Sequence, residues 1–316
     1  MKTKFDADDL TLTSLAKEYA SEKKARKLFE SLRWPEGKPV CPHCGFDETY
    51  KLTSKADSKT QLRAGVYYCA ACRKPFTATV GTVFENSHVP ISKILMAIFI
   101  LCSSKKSVSA LQLSRMLKTT YRTAWFLAHR IRYAMATDLK NARPLANTVE
   151  ADETWVGGSG NAPSRNLRQT IVALIVERNG QARTRVIPSV TAKNVGRFLN
   201  ECVDKSATVN TDEHAAYKVA LKGYKRHDRV VHSRFEYARH NPDGTVSHVN
   251  TGESFFSLLK RGVYGAWHCV SREHLPKYAS EFEYRWNTRK QTDGGRMADF
   301  VPMIAGKRLM YHQPKN

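Results

Sequence analysis

The chain has 316 residues, room for two or three domains, and its 41% hydrophobic content supports folded cores rather than a disordered polymer. Lysine and arginine number 51 against 29 acids, a formal charge of +22, which points to a polyanionic partner, nucleic acid ahead of a membrane surface. The longest apolar run, Ile94 to Cys102, falls far short of the roughly 20 residues of a membrane helix, and the polar start Met1-Lys-Thr-Lys-Phe-Asp-Ala-Asp-Asp carries no secretory signal, so an intracellular protein without a membrane part is expected.

In chain order, Leu12, Leu15, Ala16, Tyr19, Ala25, Leu28, Phe29 and Leu32 recur at helical spacing and predict helix over residues 10–32, broken by Trp34-Pro35-Glu-Gly37-Lys-Pro39. Cys41-Pro-His-Cys44 and Cys69-Ala-Ala-Cys72 follow. Two cysteines separated by two residues let a tight turn present both sulfurs to one tetrahedral Zn2+, and a reducing compartment favours metal over disulfides. Tyr67-Tyr68 and Phe76-Thr-Ala-Thr alternate as short strands do. A zinc ribbon is predicted, with Cys41, Cys44, Cys69 and Cys72 as ligands and His43 as a solvated side chain. Its role is either a structural clip or a contact to DNA or protein.

Residues 90–136 predict helices. One starts at Pro90-Ile91-Ser92, a second covers Ser107 to Leu117, and a third runs from Tyr121 to Met135 after Lys118-Thr119-Thr120. Ala124, Trp125, Leu127, Ala128 and Ile131 share one face of the third, whereas Arg122, His129, Arg130 and Arg132 lie mostly elsewhere. Two helices around a short turn, the second one basic, suggest a helix-turn-helix, although the turn has no glycine; a plain helical bundle is the alternative.

After a polar joint, Thr137 to Pro144, the pattern changes. Leu145 to Ala151 predicts a strand ended by Asp152; Gln169 to Glu177 and Thr184 to Pro188 predict two more around the turn Arg178-Asn-Gly-Gln. A helix over Ala192 to Val203, a strand ending at Asp212 and a helix opened by Glu253 complete the order of a ribonuclease-H-like α/β fold. Residues 213–252, rich in His, Arg and Gly, are predicted to be mobile, and His214, His227, His232, His240 and His248 have no tight metal-ligand spacing. Trp267 and Trp286 fall on the final helices, Trp286 and Phe282 as core, and Gln291 to Asp299 with the segment after Gly306 is predicted to be a solvated end.

Asp152, Asp212 and Glu253 stand at the ends of separate elements in a strongly basic chain. Carboxylates converging there suit Mg2+ or Mn2+, and two such ions about 4 Å apart serve in-line displacement at phosphorus. Lys260 and Arg261, on the helix that Glu253 opens, would grip phosphates.

The motifs together resemble the zinc-ribbon DDE transposases of bacterial insertion sequences, in the branch related to Merlin elements. They are Arg33-Trp-Pro-x-Gly before Cys41-Pro-x-Cys44-Gly, then Ala151-Asp-Glu-Thr-x-x-Gly-Gly158, Thr211-Asp-Glu-x-x-Ala-Tyr217, His248-Val-Asn-Thr-x-Glu253-Ser-Phe-x-Ser-Leu-Leu-Lys-Arg-Gly262 and Glu281-Phe-x-Tyr-Arg-Trp-Asn287. The resemblance implies binding of terminal inverted repeats and of target DNA, cleavage and strand transfer with Mg2+ or Mn2+, a structural Zn2+, and a bacterial, cytoplasmic, nucleoid-associated location. It also implies the triad Asp152, Asp212 and Glu253, with Asn250, about one helical turn from Glu253, as the alternative third ligand. Glu153 is a further candidate only if the strand is distorted, since alternation turns it to the other face. Arg122, Arg130, Arg132, His248, Lys260 and Arg261 are the expected DNA contacts, His248 at the scissile phosphate. A homodimer on DNA is expected because two ends must be held together. The expected divisions are an N-terminal helical segment (1–36), zinc ribbon (37–88), helical DNA-binding region (89–143), ribonuclease-H-like catalytic domain (144–305) and basic tail (306–316). The competing readings are a DNA-binding descendant that has lost its chemistry and a related nuclease without strand transfer.

Overall fold

Residues 7–53, 62–157 and 169–311 are described by the computed structural model; Gly158 of the acidic motif and the tail beyond Tyr311 lie outside them. The chain divides into two units, one running up to Met135 and resuming at Lys290, the other spanning Ala136–Arg289.

In the first unit the expected N-terminal helix is two helices, α1 (Leu12–Glu18) and α2 (Glu22–Arg33). Apolar spacing continues across the break and hides it. Ser21 is extended there, which frees the Glu22 carboxylate to accept the Ile91 and Ser92 amides at 2.9 and 3.3 Å. Those amides open α3 (Ile91–Ser103), whose N-cap is Pro90 and has no side-chain cap of its own. Between them β1 (Thr49–Lys51), β2 (Val66–Cys69) and β3 (Pro75–Thr77) form an antiparallel meander, with Trp34 edge-on to Tyr67 and Phe76 at its back.

The helices α4 (Ala110–Leu117) and α5 (Tyr121–Ala134) follow, near the predicted bounds. Between them Lys118 takes φ +47°, the left-handed conformation that glycine adopts most cheaply at a helix end. Thr120 then caps α5 by accepting the Thr123 amide.

The second unit is built on a five-stranded sheet of β4 (Thr148–Val156), β5 (Thr170–Glu177), β6 (Ala182–Ile187), β7 (Thr208–Thr211) and β8 (Arg226–Arg229), in the spatial order β6-β5-β4-β7-β8. The β4–β5 and β5–β6 pairs are antiparallel; β4–β7 and β7–β8 are parallel. The helices α6 (Ala192–Cys202) and α7 (Ala215–Ala220) lie on one face, with Phe198, Leu199 and Tyr217 against Val149, Ala151, Ala173 and Ile175. On the other face Phe255, Phe256 and Leu259 of α8 (Asn250–Gly262) and Phe282 of α9 (Leu275–Asn287) pack on Val172, Leu174 and Val176. Being covered on both sides, β5 reads as an unbroken apolar run.

Two expectations need correction here. Asp152 does not end its strand: β4 continues to Val156, and Asp152 pairs with Leu174 in mid-ladder. The stretch 213–252, expected to be mobile, carries α7, the parallel strand β8 and a hairpin of β9 (Ala238–His240) and β10 (Val246–His248). Of the charges that made it look loose, Arg226 is paired with Asp228 and Asp243.

The end of the chain differs as well. The helix α10 (Asp293–Phe300) and a following turn bury Met297, Phe300, Val301 and Ile304 completely, and the Val83 amide donates to the Ile304 carbonyl. Within the stretch expected to be solvated, Gln291 to Asp299, Met297 is core of the first unit, while Gln291, Thr292, Asp293 and Asp299 are exposed; the first unit takes up the chain again at Lys290.

Candidate functional site

The four cysteine sulfurs lie within 4.8 Å of one another, the one such group of three or more potential ligands among the described residues. Cys41 and Cys72 are 3.6 Å apart, as are Cys44 and Cys69. A tetrahedron with Zn–S bonds of about 2.3 Å has edges of roughly 3.8 Å, so the set fits Zn2+. Burial pushes the Cys41 thiol up, but the amides of His43 and Cys44 and the neighbouring sulfurs outweigh it and bring it down to about 7, toward the thiolate that binds metal.

The carboxylates sit in the second unit. Asp152 projects from β4 toward the first turn of α8. There Gly252 is buried, and a Cβ added to it would stand 3.5 Å from Asp152 Cβ and 3.6 Å from its Oδ2. Burial, then the charges of Glu153, Asp212 and Glu253, push Asp152 up to about 7, against the Glu153 amide that donates to its Oδ1 at 2.8 Å. Asp212 follows the last residue of β7, the parallel neighbour of β4, and its Oδ1 accepts the His214 amide at 3.0 Å. Glu253 and Asn250 are both exposed in the first turn of α8. The charges of Asp212 and Glu253 reach Asp152, but among the described residues the three carboxylates are not drawn into a ligand cluster as the cysteines are; their oxygen donors are of the type that suits a hard cation.

Glu153 takes the opposite face, as alternation requires. It is buried, its Oε2 accepts the Tyr217 hydroxyl at 2.5 Å, and burial followed by the Asp212 charge raises its carboxyl. Tyr217 is raised well above its ordinary value by burial and by that same carboxylate.

Sequence reasoning missed Glu150, the best-connected acid here. It is fully buried, on the same face as Asp152, and lies under the N-terminus of α8. Its oxygens accept the Thr251 amide and hydroxyl, both at 2.8 Å, and the Gly252 amide at 3.1 Å. It also pairs with Arg178 Nε at 2.8 Å, and Arg178 in turn donates to the carbonyls of Val246 and His248. His248 Nδ1 lies 3.2 Å from Glu150 and takes the Asn250 amide at 3.3 Å; burial and the Arg178 charge lower it. The available signal was an acid two positions before Asp152, on the same face of one strand.

Of the expected DNA contacts, Lys260, Arg261 and Arg122 are exposed. Arg130 is half-buried, donates to the Glu85 carbonyl and stacks over Phe126. Arg132 is buried at 1% exposure and donates to Ser107 Oγ and the Val108 carbonyl, so it ties the helices together and is not a phosphate contact. Trp286 packs edge-on to Phe255 and Trp267 on Phe282, as core. Glu283 and Asn287 of the last motif bind the backbone of β6 at Thr184 and Ala182.

Residues 144–287 match the family model of the ISXO2-like transposase domain, and residues 20–75 that of the transposase zinc-ribbon domain. Over 290 residues the chain is 28% identical to the uncharacterized protein in transposable element ISH50 of Halobacterium salinarum, covering 85% of this chain and 92% of that protein. Among the described residues no helix is long and apolar enough to cross a membrane.

Proposed function

We propose that the chain is a zinc-ribbon transposase of an insertion sequence, as its matches to the ISXO2-like transposase domain and the transposase zinc-ribbon domain support, and that it binds the terminal inverted repeats of its element and catalyses metal-dependent DNA strand cleavage and strand transfer. The observation that carries this reading is the placement of Asp152 against Gly252 in the first turn of α8, on a strand whose parallel neighbour leads into Asp212, where burial and then the charges of the neighbouring acids push Asp152 up to about 7. The strand order β6-β5-β4-β7-β8, with its antiparallel and parallel halves, supports a ribonuclease-H-like catalytic domain. The pair α4 and α5 around the left-handed Lys118 supports a helix-turn-helix.

Asp152, Asp212 and Glu253 hold Mg2+ or Mn2+ in this reading, with Asn250 the alternative to Glu253. Two such ions, when bound, supply activation of a water or 3′-hydroxyl and stabilisation of the leaving oxygen. The protein's own work is positional. Glu150 fixes the start of α8 to the strand that carries Asp152, and Gly252 lets the two approach. Lys260 and Arg261 hold phosphates, and His248, seated at the same helix start, orients the scissile one. The zinc ribbon and α5 take the terminal repeat, and a homodimer holds two ends together on DNA in the bacterial cytoplasm, beside the nucleoid.

The test is cleavage and strand transfer on a labelled duplex carrying the element's own terminal repeat, in Mg2+ or Mn2+. Asp152→Asn, Asp212→Asn and Glu253→Gln are each expected to lower the rate about 100- to 1,000-fold, the scale on which a charge-stabilising group acts in a transition state, while Asn250→Ala largely keeps it. Loss with Asn250→Ala but not Glu253→Gln moves the third ligand. Native protein that binds the repeat and never cuts it sinks the enzymatic reading in favour of a retired DNA-binding protein; cutting without joining leaves a nuclease.

A further inference from the structure

Phe235 is the most exposed large hydrophobic side chain among the described residues, at 83%, and it sits at φ +59°, where bulky residues are rarely found. The surrounding backbone is tied down. A single 3-10 turn, His232–Arg234, precedes it, and the Phe235 amide closes that turn on the His232 carbonyl at 2.9 Å. Glu236 folds back to accept the Val231 amide at 2.9 Å. Glu213 accepts the amides of His232 and Ser233 at 2.8 and 3.1 Å. At the base of the turn Val230 is buried and its amide donates to the Thr211 carbonyl at 3.0 Å.

These ties place the turn at the carboxyl end of β7 and β8, the end from which Asp212 also emerges, and Glu213 is the residue next to Asp212. They also set the sign of the surface. Both acids of the turn are occupied by backbone amides, while Arg229 and Arg234, close to Phe235 in sequence, stay exposed, with Tyr237 half in solvent at 56%. An exposed aromatic ring on a tied backbone turn, with exposed arginines in the same turn and Asp212 leaving the same end of the sheet, fits a duplex: arginines take the phosphates and the ring takes a base face.

We propose that Phe235 is a wedge that enters DNA beside the scissile phosphate and stacks on a base displaced from its pair. This rests on the transposase reading and extends it: the segment between β8 and α8 distorts the substrate that the acids cut. A duplex end must be locally unstacked for this to happen, and the energy of the new stack offsets that loss.

The test uses the full-length, zinc-loaded protein and the terminal-repeat duplex with 2-aminopurine at each position flanking the cut. Native protein is expected to raise the fluorescence of one flanking base on binding. Phe235→Ala should abolish that rise and slow cleavage of the paired duplex about 10- to 100-fold, the worth of one stacked base. Phe235→Trp should restore both, and a mismatch at the responding position should rescue Phe235→Ala. An unchanged melting temperature and zinc content of the variant separate this from misfolding. Native protein that cuts without any fluorescence rise, or Phe235→Ala that behaves as native, overturns the wedge and leaves the transposase reading intact. A fall in mass by light scattering with Phe235→Ala, the fluorescence rise being kept, assigns the ring to contact between two copies and overturns it too. Native protein that neither binds nor cuts the repeat overturns the transposase reading, and the wedge with it.

Discussion

Glu150 makes five polar contacts from a position with no exposure, and most of them go to the opening turn of a single helix. A helix N-terminus leaves amides unpaired and carries partial positive charge, so a buried carboxylate beneath it replaces the side-chain cap that Val249 lacks. Removing it leaves those amides and Arg178 uncompensated. Glu150→Ala is expected to cost about 3 kcal/mol in denaturant unfolding, and Glu150→Gln less, since an amide oxygen still accepts two N–H groups. Equal stability of Glu150→Ala and native protein would remove Glu150 from this role. Glu177 supplies a pH test. Burial raises its carboxyl, but Arg143, paired at 2.5 Å, and the Ala146 amide outweigh burial and hold it below the usual value. A lowered folded pKa adds stability that is present above the unfolded value, about 4.3, and is lost as pH falls through the folded value. The stability gap between native protein and Glu177→Gln should therefore be flat from about pH 6 to 8 and shrink below about pH 4.5; a gap that grows on acidification would contradict the pairing. At this scale the sequence spoke unevenly. Asp152, Asp212 and Glu253 stood out because acids at the ends of separate elements in a basic chain call for a reason, whereas Glu150 and Arg178 reveal themselves only when β4, β5 and α8 are folded together.

The turn between α4 and α5 shows how an element can lack its usual residue and keep its shape. Lys118 holds φ +47° because the Thr119 amide closes on the Ser114 carbonyl at 3.0 Å and Thr120 caps the next helix. A side chain with a Cβ is strained in that region, so Lys118→Gly is expected to stabilise the first unit by about 0.5–1 kcal/mol. A thermal scan that shows a loss instead would mean the lysine contributes more through its own contacts than its backbone costs. Periodicity located α3, α4, α5, α6 and the hairpin of β5 and β6 well, because each buries one stripe or one continuous run. It failed at Ser21, where apolar spacing runs across two helices, and at β4, whose acids at Glu150, Asp152 and Glu153 interrupt the alternation that marks a strand. It failed again at β8, where Arg226-His-Asp-Arg offers no apolar residue, since hydrogen bonds to β7 hold this edge strand.

The division of the chain into units at Ala136 and Lys290 was not legible from charge and composition, which place a basic end after Gly306. A signal was nonetheless present, because Met297, Phe300, Val301 and Ile304 follow i, i+3, i+4, i+7 spacing, the buried stripe of a helix. The consequence is that the described segments before Ala136 and after Arg289 belong to the unit that contains the four cysteines, while the acids belong to one continuous segment with its own two-faced sheet. Metal removal should then act unevenly. In a ribbon with three short strands, little apolar area is buried, so the four-cysteine site supplies much of the folding free energy, whereas β4 and β5 sit between two helical layers. Hydrogen exchange on the full-length protein, with and without a zinc chelator, is expected to show the amides of β1, β2 and β3 losing protection while those of β4, β5 and β7 keep theirs. Protection lost together in both sheets would mean that the zinc site and the acid-bearing sheet unfold as one cooperative body, and that the two units do not have independent stability.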